Sequence, residues 1–313
     1  MTGQINIVFN QIIIFTILMV IGFIAAKTDV LTRDVLNALS KLIVKIILPA
    51  LIFSIIANSG VTAKEFSISG RFAGGVAACY ALLILAGIVM SKLCKLEGKT
   101  ANIFIALTTF GNMGFMGIPL IQAIFKEPVA QVCISIYTIV DMALLWTFGV
   151  YLCSRHEKNS HPLSAVRNMM NPTTVALLIA FVIMLLKIPV PDLLLNTITG
   201  IGNTSKYLTL MYLGGSLAYV SVNQIIKKPS IFVLTIVKMM ITPIIVYFLL
   251  GFFLTQIPRT ILTLIVGLPS MTTVAMTAAA YQSDVEYATE VIFVTTLASI
   301  VTIPIVSIIT SMM

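Results

Sequence analysis

Charge is the scarcest thing in this sequence. Of its 313 residues only 10% are Asp, Glu, Lys or Arg, while 59% are hydrophobic; a soluble domain carries about 25% charged residues. Mean hydropathy is +1.08. These values exclude an ordinary soluble domain and identify a polytopic, all-α membrane protein. Histidine is almost missing too: the 2 in the chain, His156 and His161, share one polar stretch. There is no H-E-x-x-H and no G-x-S-x-G, so the zinc-protease and serine-hydrolase motifs are absent. Asp141 is the only acidic residue deep in an apolar run, which leaves no carboxylate dyad. We therefore expect no enzymatic activity, no cofactor and no bound metal. The 4 cysteines, Cys79, Cys94, Cys133 and Cys153, form no C-x-x-C pair and read as small apolar residues. The opening MTGQINIVFNQ lacks a basic n-region, and no small-residue cleavage site follows. The first apolar segment is expected to be a retained helix.

What is abundant is apolar runs, and they divide into ten expected spans at about 7–26, 36–58, 71–91, 101–125, 129–153, 173–188, 203–222, 230–251, 258–281 and 287–311. A helix needs roughly 20 residues to cross a bilayer. A further segment around 192–200 is expected at the membrane interface. The polar stretch 154–172 separates a first group of five spans (1–153) from a second (173–313). An odd number of crossings in the first group makes the second enter the membrane inverted.

The net charge of +8 points to membrane topology rather than to nucleic acid. One set of alternate loops holds ten basic residues: Lys27, Arg33, Lys92, Lys95, Lys99, Arg155, Lys158, Arg167, Lys227 and Lys228. The opposite set holds five: Lys64, Arg71, Lys126, Lys187 and Arg259. The richer side is expected to be cytoplasmic. Both termini then lie outside, the 154–172 linker lies inside, and the expected location is the plasma membrane.

Two of the spans are poor helix material at their centres. The fourth contains GNMGFMGIP (111–119), and the ninth contains Pro269. Glycine costs about 1 kcal/mol and proline about 3 kcal/mol in a helix interior. A broken helix survives at membrane depth only inside protein or beside water. Interrupted spans at matching positions of two halves are the best sequence pointer to a transporter's binding site. Half-helix N-termini at such breaks carry about half a positive charge and favour carboxylates. Gly111, Gly114 and Gly117 let backbone approach a ligand, and Pro119 suits the first turn of a restarting half-helix. Asn112 has an amide to donate to a substrate; its alternative role is a cap on the first half-helix, and the two can coexist. Ser270, Thr272 and Thr273, beside Pro269, offer hydroxyls from the second break. These residues form the expected substrate site.

Asp141 and Lys238 lie deep in spans five and eight. A charge at such depth costs about 2.5–3.5 kcal/mol even on lenient insertion scales. We expect either that the two pair with each other or that Asp141 couples transport to H+ or Na+. Lys238 can alternatively snorkel to the interface.

Several stretches then resemble one family. GNMGFMGIPL (111–120) is similar to the N-x-G-F-x-G-x-P-L signature of the auxin efflux carrier family, which includes plant PIN proteins and many bacterial permeases. LPALIFS (48–54), LGGSLA (213–218), LPS (268–270) with AAAYQSD (278–284), and TTLASIVTIPI (295–305) resemble further family motifs in order. The resemblance implies ten helices as two inverted five-helix repeats with broken helices 4 and 9 crossing. It implies a scaffold of spans 1, 2, 6 and 7 that forms a homodimer, and a moving transport domain of spans 3–5 and 8–10. Thr273 stands where the family often has asparagine, and the central linker is short. Both departures favour a bacterial-type permease for small organic anions such as malate or malonate, working by elevator-type alternating access. A channel, or a carrier for auxin-like aromatic carboxylates, is the alternative.

Overall fold

The computed structural model describes residues 2–57, 70–155, 172–219 and 225–312. Most of the linker, with His156 and His161, lies outside the described residues. The helices are α1 (Thr2–Lys27), α2 (Arg33–Ala57) and α3 (Gly70–Leu93). Span four is two helices: α4 (Gly98–Thr109), and α5, which runs through Met113–Gly117 and Ile118–Ile124. α6 runs unbroken through Pro128–Leu144, Leu145–Gly149 and Val150–Ser154. Then follow α7 (Pro172–Leu186), α8 (Asp192–Asn203), α9 (Ser205–Leu217) and α10 (Pro229–Leu250). Span nine is likewise two helices, α11 (Gln256–Val266) and α12 (Thr272–Ala280), and α13 is Val285–Met312. Among the described residues, α2, α3, α10, α13 and the Val132–Ser154 part of α6 are each long and apolar enough to cross a membrane.

Proline explains three of the four widened turns among the described residues, the turn at Leu145–Gly149 being the exception. Three turns widen to π geometry two residues before a proline: Ile43–Ile47 before Pro49, Met113–Gly117 before Pro119, and Val237–Ile241 before Pro243. In each, the residue just ahead of the proline donates five residues back: Leu48 to Ile43, Ile118 to Met113, Thr242 to Val237. A proline ring clashes with the carbonyl four residues earlier and offers no N–H. A wider turn relieves both problems without ending the helix. This corrects one expectation. The second half of span four restarts at Met113, a turn and a half ahead of Pro119, which lies inside the resumed helix.

Two groups of helices pack within themselves. α1 lies along α9, and α2 is flanked by α7 and α8. α1 and α9 run in the same direction, since Lys206 sits over the Phe15 ring at one end and the Tyr219 hydroxyl donates to the Leu31 carbonyl at the other. Glycine sets their spacing: a Cβ on Gly22 would lie 2.0 Å from the Met211 carbonyl oxygen, and one on Gly214 1.9 Å from that of Met19. α8 is amphipathic, with Leu193 and Leu194 exposed and Gly202 against the backbone of Leu51. The second group holds α3–α6 and α10–α13. Here Gly87 admits the backbone of Ile105, bringing α3 against α4.

The loops sort to two ends. At one, Lys99 donates to the Gln282 carbonyl, Lys228 pairs with Glu290 at 2.7 Å, and Arg33 stacks on Tyr219. At the other, the Tyr247 hydroxyl reaches the Thr310 carbonyl and Arg259 lies over the Tyr247 ring. The loops carrying Arg33, Lys99 and Lys228 thus share one end of the molecule.

Candidate functional site

The site begins with the main chain of the two breaks. Past Thr109, Phe110 turns extended, at φ −97° and ψ 123°. Past Val266, Met271 does the same, at φ −71° and ψ 125°. The two extended pieces lie antiparallel, with Gly111 opposite Ser270. The Asn112 N–H donates to the Pro269 carbonyl at 2.8 Å, and the Met271 N–H to the Phe110 carbonyl at 3.1 Å. Each break thereby satisfies the other's freed backbone groups, which broken helices in an apolar medium require. Gly111 is needed for this approach: its Cβ would sit 3.2 Å from the Ile265 carbonyl oxygen.

Side chains complete the accounting at the C-terminal end of α4. The Ser270 hydroxyl donates to the Leu107 carbonyl at 2.9 Å, while the Ser270 N–H donates to Thr295 Oγ1 at 3.2 Å. Lys238 Nζ donates to the carbonyls of Thr108 at 2.8 Å and Phe110 at 2.9 Å. An ammonium group at the negative end of a helix is well placed electrostatically. Lys238 is fully buried, so it does not snorkel. It also makes no ion pair with Asp141. That carboxylate instead accepts from the Tyr80 hydroxyl through Oδ1, and Tyr80 stacks on Tyr137 with ring centroids 5.6 Å apart. The helix end offers Lys238 two acceptors at close range, and Tyr80 supplies Asp141 with a donor, so direct pairing does not form. Asp141 Oδ2 is buried without a hydrogen-bond partner, as is Thr138 Oγ1 one turn earlier.

Of the expected substrate residues, the structure brings Asn112, Gly114 and Thr273 onto one cavity. Met271 joins them from the second break, Trp146 and Leu145 from α6, and Leu48, Leu51, Ile52 and Ile55 from α2. Asn112 is 2% exposed, and its side chain makes no N-cap hydrogen bond at the start of α5. Gly114 has nothing within 4 Å of where a Cβ would stand. The room for water-sized molecules is about 20 Å³, enough for a water and too little for a dicarboxylate. α2 lines this cavity with apolar side chains only.

The others serve elsewhere. Ser270 braces α4 rather than facing the cavity. Gly117 is packed against Met113 and Leu268. Pro269 contributes its carbonyl to the bridge. Thr272 starts α12, and its hydroxyl is buried without a partner. Pro119 lies along α5, beyond the crossing.

Two features escaped the sequence reading. Tyr80 is one tyrosine in an apolar span, and only its proximity to an intramembrane aspartate would have flagged it. The second is a polar cavity of about 280 Å³ at the end shared by the basic loops, lined among others by Arg33, Asn37, Tyr212, Ser216, Glu286 and Thr289. It lies between α2 and α9 on one side and α13 on the other. One turn along α2, the Ser40 hydroxyl donates to the Met276 carbonyl at 3.3 Å.

The family model described as membrane transport protein matches the chain in two segments, residues 7–164 and 159–307. No curated protein matches it.

Proposed function

Because the chain belongs to the membrane transport protein family that includes the auxin efflux carriers, we propose that it is a secondary transporter of small organic anions, mono- or dicarboxylates of the malate or malonate kind. The observation that carries this reading is the crossing itself. Asn112, Gly114 and Thr273, from two different breaks, face one cavity between two helix restarts. A carboxylate there meets the positive ends of α5 and α12 together with an amide and a hydroxyl. With no fixed cation in the cavity wall, the anion is free to leave again.

The mechanism we propose is alternating access by sliding of one helix group against the other. All the polar groups of the cavity belong to α3–α6 and α10–α13, while α2 contributes only Leu48, Leu51, Ile52 and Ile55. Apolar contact is non-directional, so the polar half can move along α2 without breaking a hydrogen-bonded lattice. Two bonds that join the groups converge on Met276, from Ser40 and from Thr209. Moving the crossing away from α2 opens the cavity to a substrate. Within this reading the basic end is cytoplasmic, both termini are outside, α1, α2, α7 and α9 form the scaffold, and two scaffolds meet in a homodimer in the plasma membrane. Each helix group then combines spans from both five-span repeats, which have opposite orientation.

The deciding experiment is counterflow in proteoliposomes with a panel of labelled mono- and dicarboxylates. Saturable exchange of at least one is expected, with its apparent affinity lowered roughly ten- to a hundredfold by Asn112→Ala. Linear, non-saturating flux would instead make the protein a channel.

A further inference from the structure

Carriers built on broken helices commonly use half-helix C-termini and unwound carbonyls to hold a coupling cation. The oxygen atoms for that are present here. The carbonyls of Thr108 and Phe110 end α4 at the crossing, and the Phe110 carbonyl also takes the Met271 N–H that ties the breaks together. Backbone carbonyls at a half-helix C-terminus suit a hard monovalent cation. Both are instead held by Lys238 Nζ, at 2.8 and 2.9 Å.

Lys238 is delivered there by design of the backbone. It sits in the widened turn Val237–Ile241 that Pro243 imposes on α10. It is 0% exposed, among the largest fully buried side chains of the protein. A lysine carries three donors and no acceptor. Two are used on the carbonyls, so its role at this point is to supply positive charge to the end of α4.

We propose that Lys238 is a built-in cation: its ammonium group occupies the place of a coupling sodium ion and holds the crossing together permanently, so that transport needs no sodium. The proposal rests on the transport function argued above and adds to it which ion is excluded, and why. A tethered charge cannot dissociate with each cycle, so it assembles the site without linking substrate movement to a sodium gradient. A proton carried by Asp141 is left as the coupling ion that the residues still allow.

The test uses the purified full chain. In thermal unfolding, wild-type protein should melt at the same temperature in sodium, potassium and choline chloride at equal ionic strength. Lys238→Ala should melt lower in choline and recover part of the difference in sodium or methylammonium, either of which can enter the vacated place. In counterflow, wild type should be indifferent to replacement of sodium by choline. Lys238→Ala should fall by roughly tenfold or more in choline, the scale of losing hydrogen bonds from a charged group, and regain activity with methylammonium. A wild type that is stabilised or activated specifically by sodium overturns the proposal. A folded Lys238→Ala that no cation restores does the same. Should that variant not fold, Lys238→Met decides: exchange as fast as wild type in choline overturns the built-in cation. Absence of counterflow with every carboxylate sinks the proposed substrate class alone, because the melting comparison reads the cation site without substrate.

Discussion

Asn112 gives its backbone N–H to the carbonyl of Pro269 at 2.8 Å while its side chain faces a cavity across from Thr273. The main chain of this residue is structural, and in the proposed site its amide meets the ligand. Ser270, opposite Gly111 in the same bridge, divides the other way: its hydroxyl is committed to the Leu107 carbonyl. Alanine at the two positions should therefore have different consequences. Asn112→Ala keeps the bridge and should leave the melting temperature near wild type. Its apparent substrate affinity should fall roughly ten- to a hundredfold, the worth of about 1.5–3 kcal/mol for a hydrogen bond to a charged group. Ser270→Ala leaves a buried carbonyl unsatisfied and should cost about 1–3 kcal/mol of stability, with affinity little changed. Thermal unfolding and counterflow on both variants check the pair, and the reverse pattern would move the site off Asn112.

Glycines at the break and at the α1–α9 contact should likewise not behave alike. A methyl group at Gly114 enters open space in the cavity, so Gly114→Ala should fold normally and exchange substrate poorly. The glycines between α1 and α9 carry the opposite expectation. Gly22→Ala or Gly214→Ala puts a carbon within about 2 Å of a carbonyl oxygen of the facing helix. Backbone cannot step aside as a side chain tip does, so each should cost about 1–3 kcal/mol or more, the usual scale of overpacking. Size-exclusion profiles and melting curves of the three variants separate the cases.

The breaks themselves were legible because glycine and proline in an apolar run have few explanations. The deep charges were legible for a similar reason: Asp141 and Lys238 stand out in spans with nothing else ionisable. Their partners were not. That Lys238 reaches Thr108 and Phe110 depends on a turn widened ahead of Pro243, and on α10 lying beside the end of α4. Neither follows from spacing along one chain. The same limit made Ser270, Thr272 and Thr273 look equivalent. All three sit beside Pro269 and all three have hydroxyls. Which one faces the cavity is decided by the extended turn at Ser270–Met271, where side chains alternate sides. Pro119 was placed at the helix restart on propensity, whereas the chain resumes at Met113 by taking a wider turn.

The contact of Ser40 with Met276 offers a direct test of sliding. Ser40 belongs to α2 and Met276 to α12, so the two lie in different helix groups, joined at 3.3 Å between hydroxyl and carbonyl. Cysteines at both positions, in a background with Cys79, Cys94, Cys133 and Cys153 replaced, should crosslink with mercuric ion. Counterflow should stop on crosslinking and return when excess competing thiol takes up the mercuric ion. Unimpaired exchange by fully crosslinked protein would mean that α12 does not travel along α2.

Asp141 is the group through which we propose that transport responds to pH. It is 0% exposed and takes one hydrogen bond, from Tyr80. The titratable or charged side chains that act on it or on its donor are Tyr80, Tyr137 and Lys238. If Asp141 gains and loses a proton as the crossing moves, wild-type uptake should vary across a pH series and Asp141→Asn should flatten that variation, because an amide has no proton to exchange. Tyr80→Phe keeps the carboxyl and removes its donor. That variant should retain a pH dependence with its midpoint displaced, since the hydrogen bond favours the ionised carboxylate. An Asp141→Asn profile that follows wild type at every pH would make Asp141 a structural residue. Exchange driven by the substrate gradient alone would then remain, with the crossing assembled by Lys238.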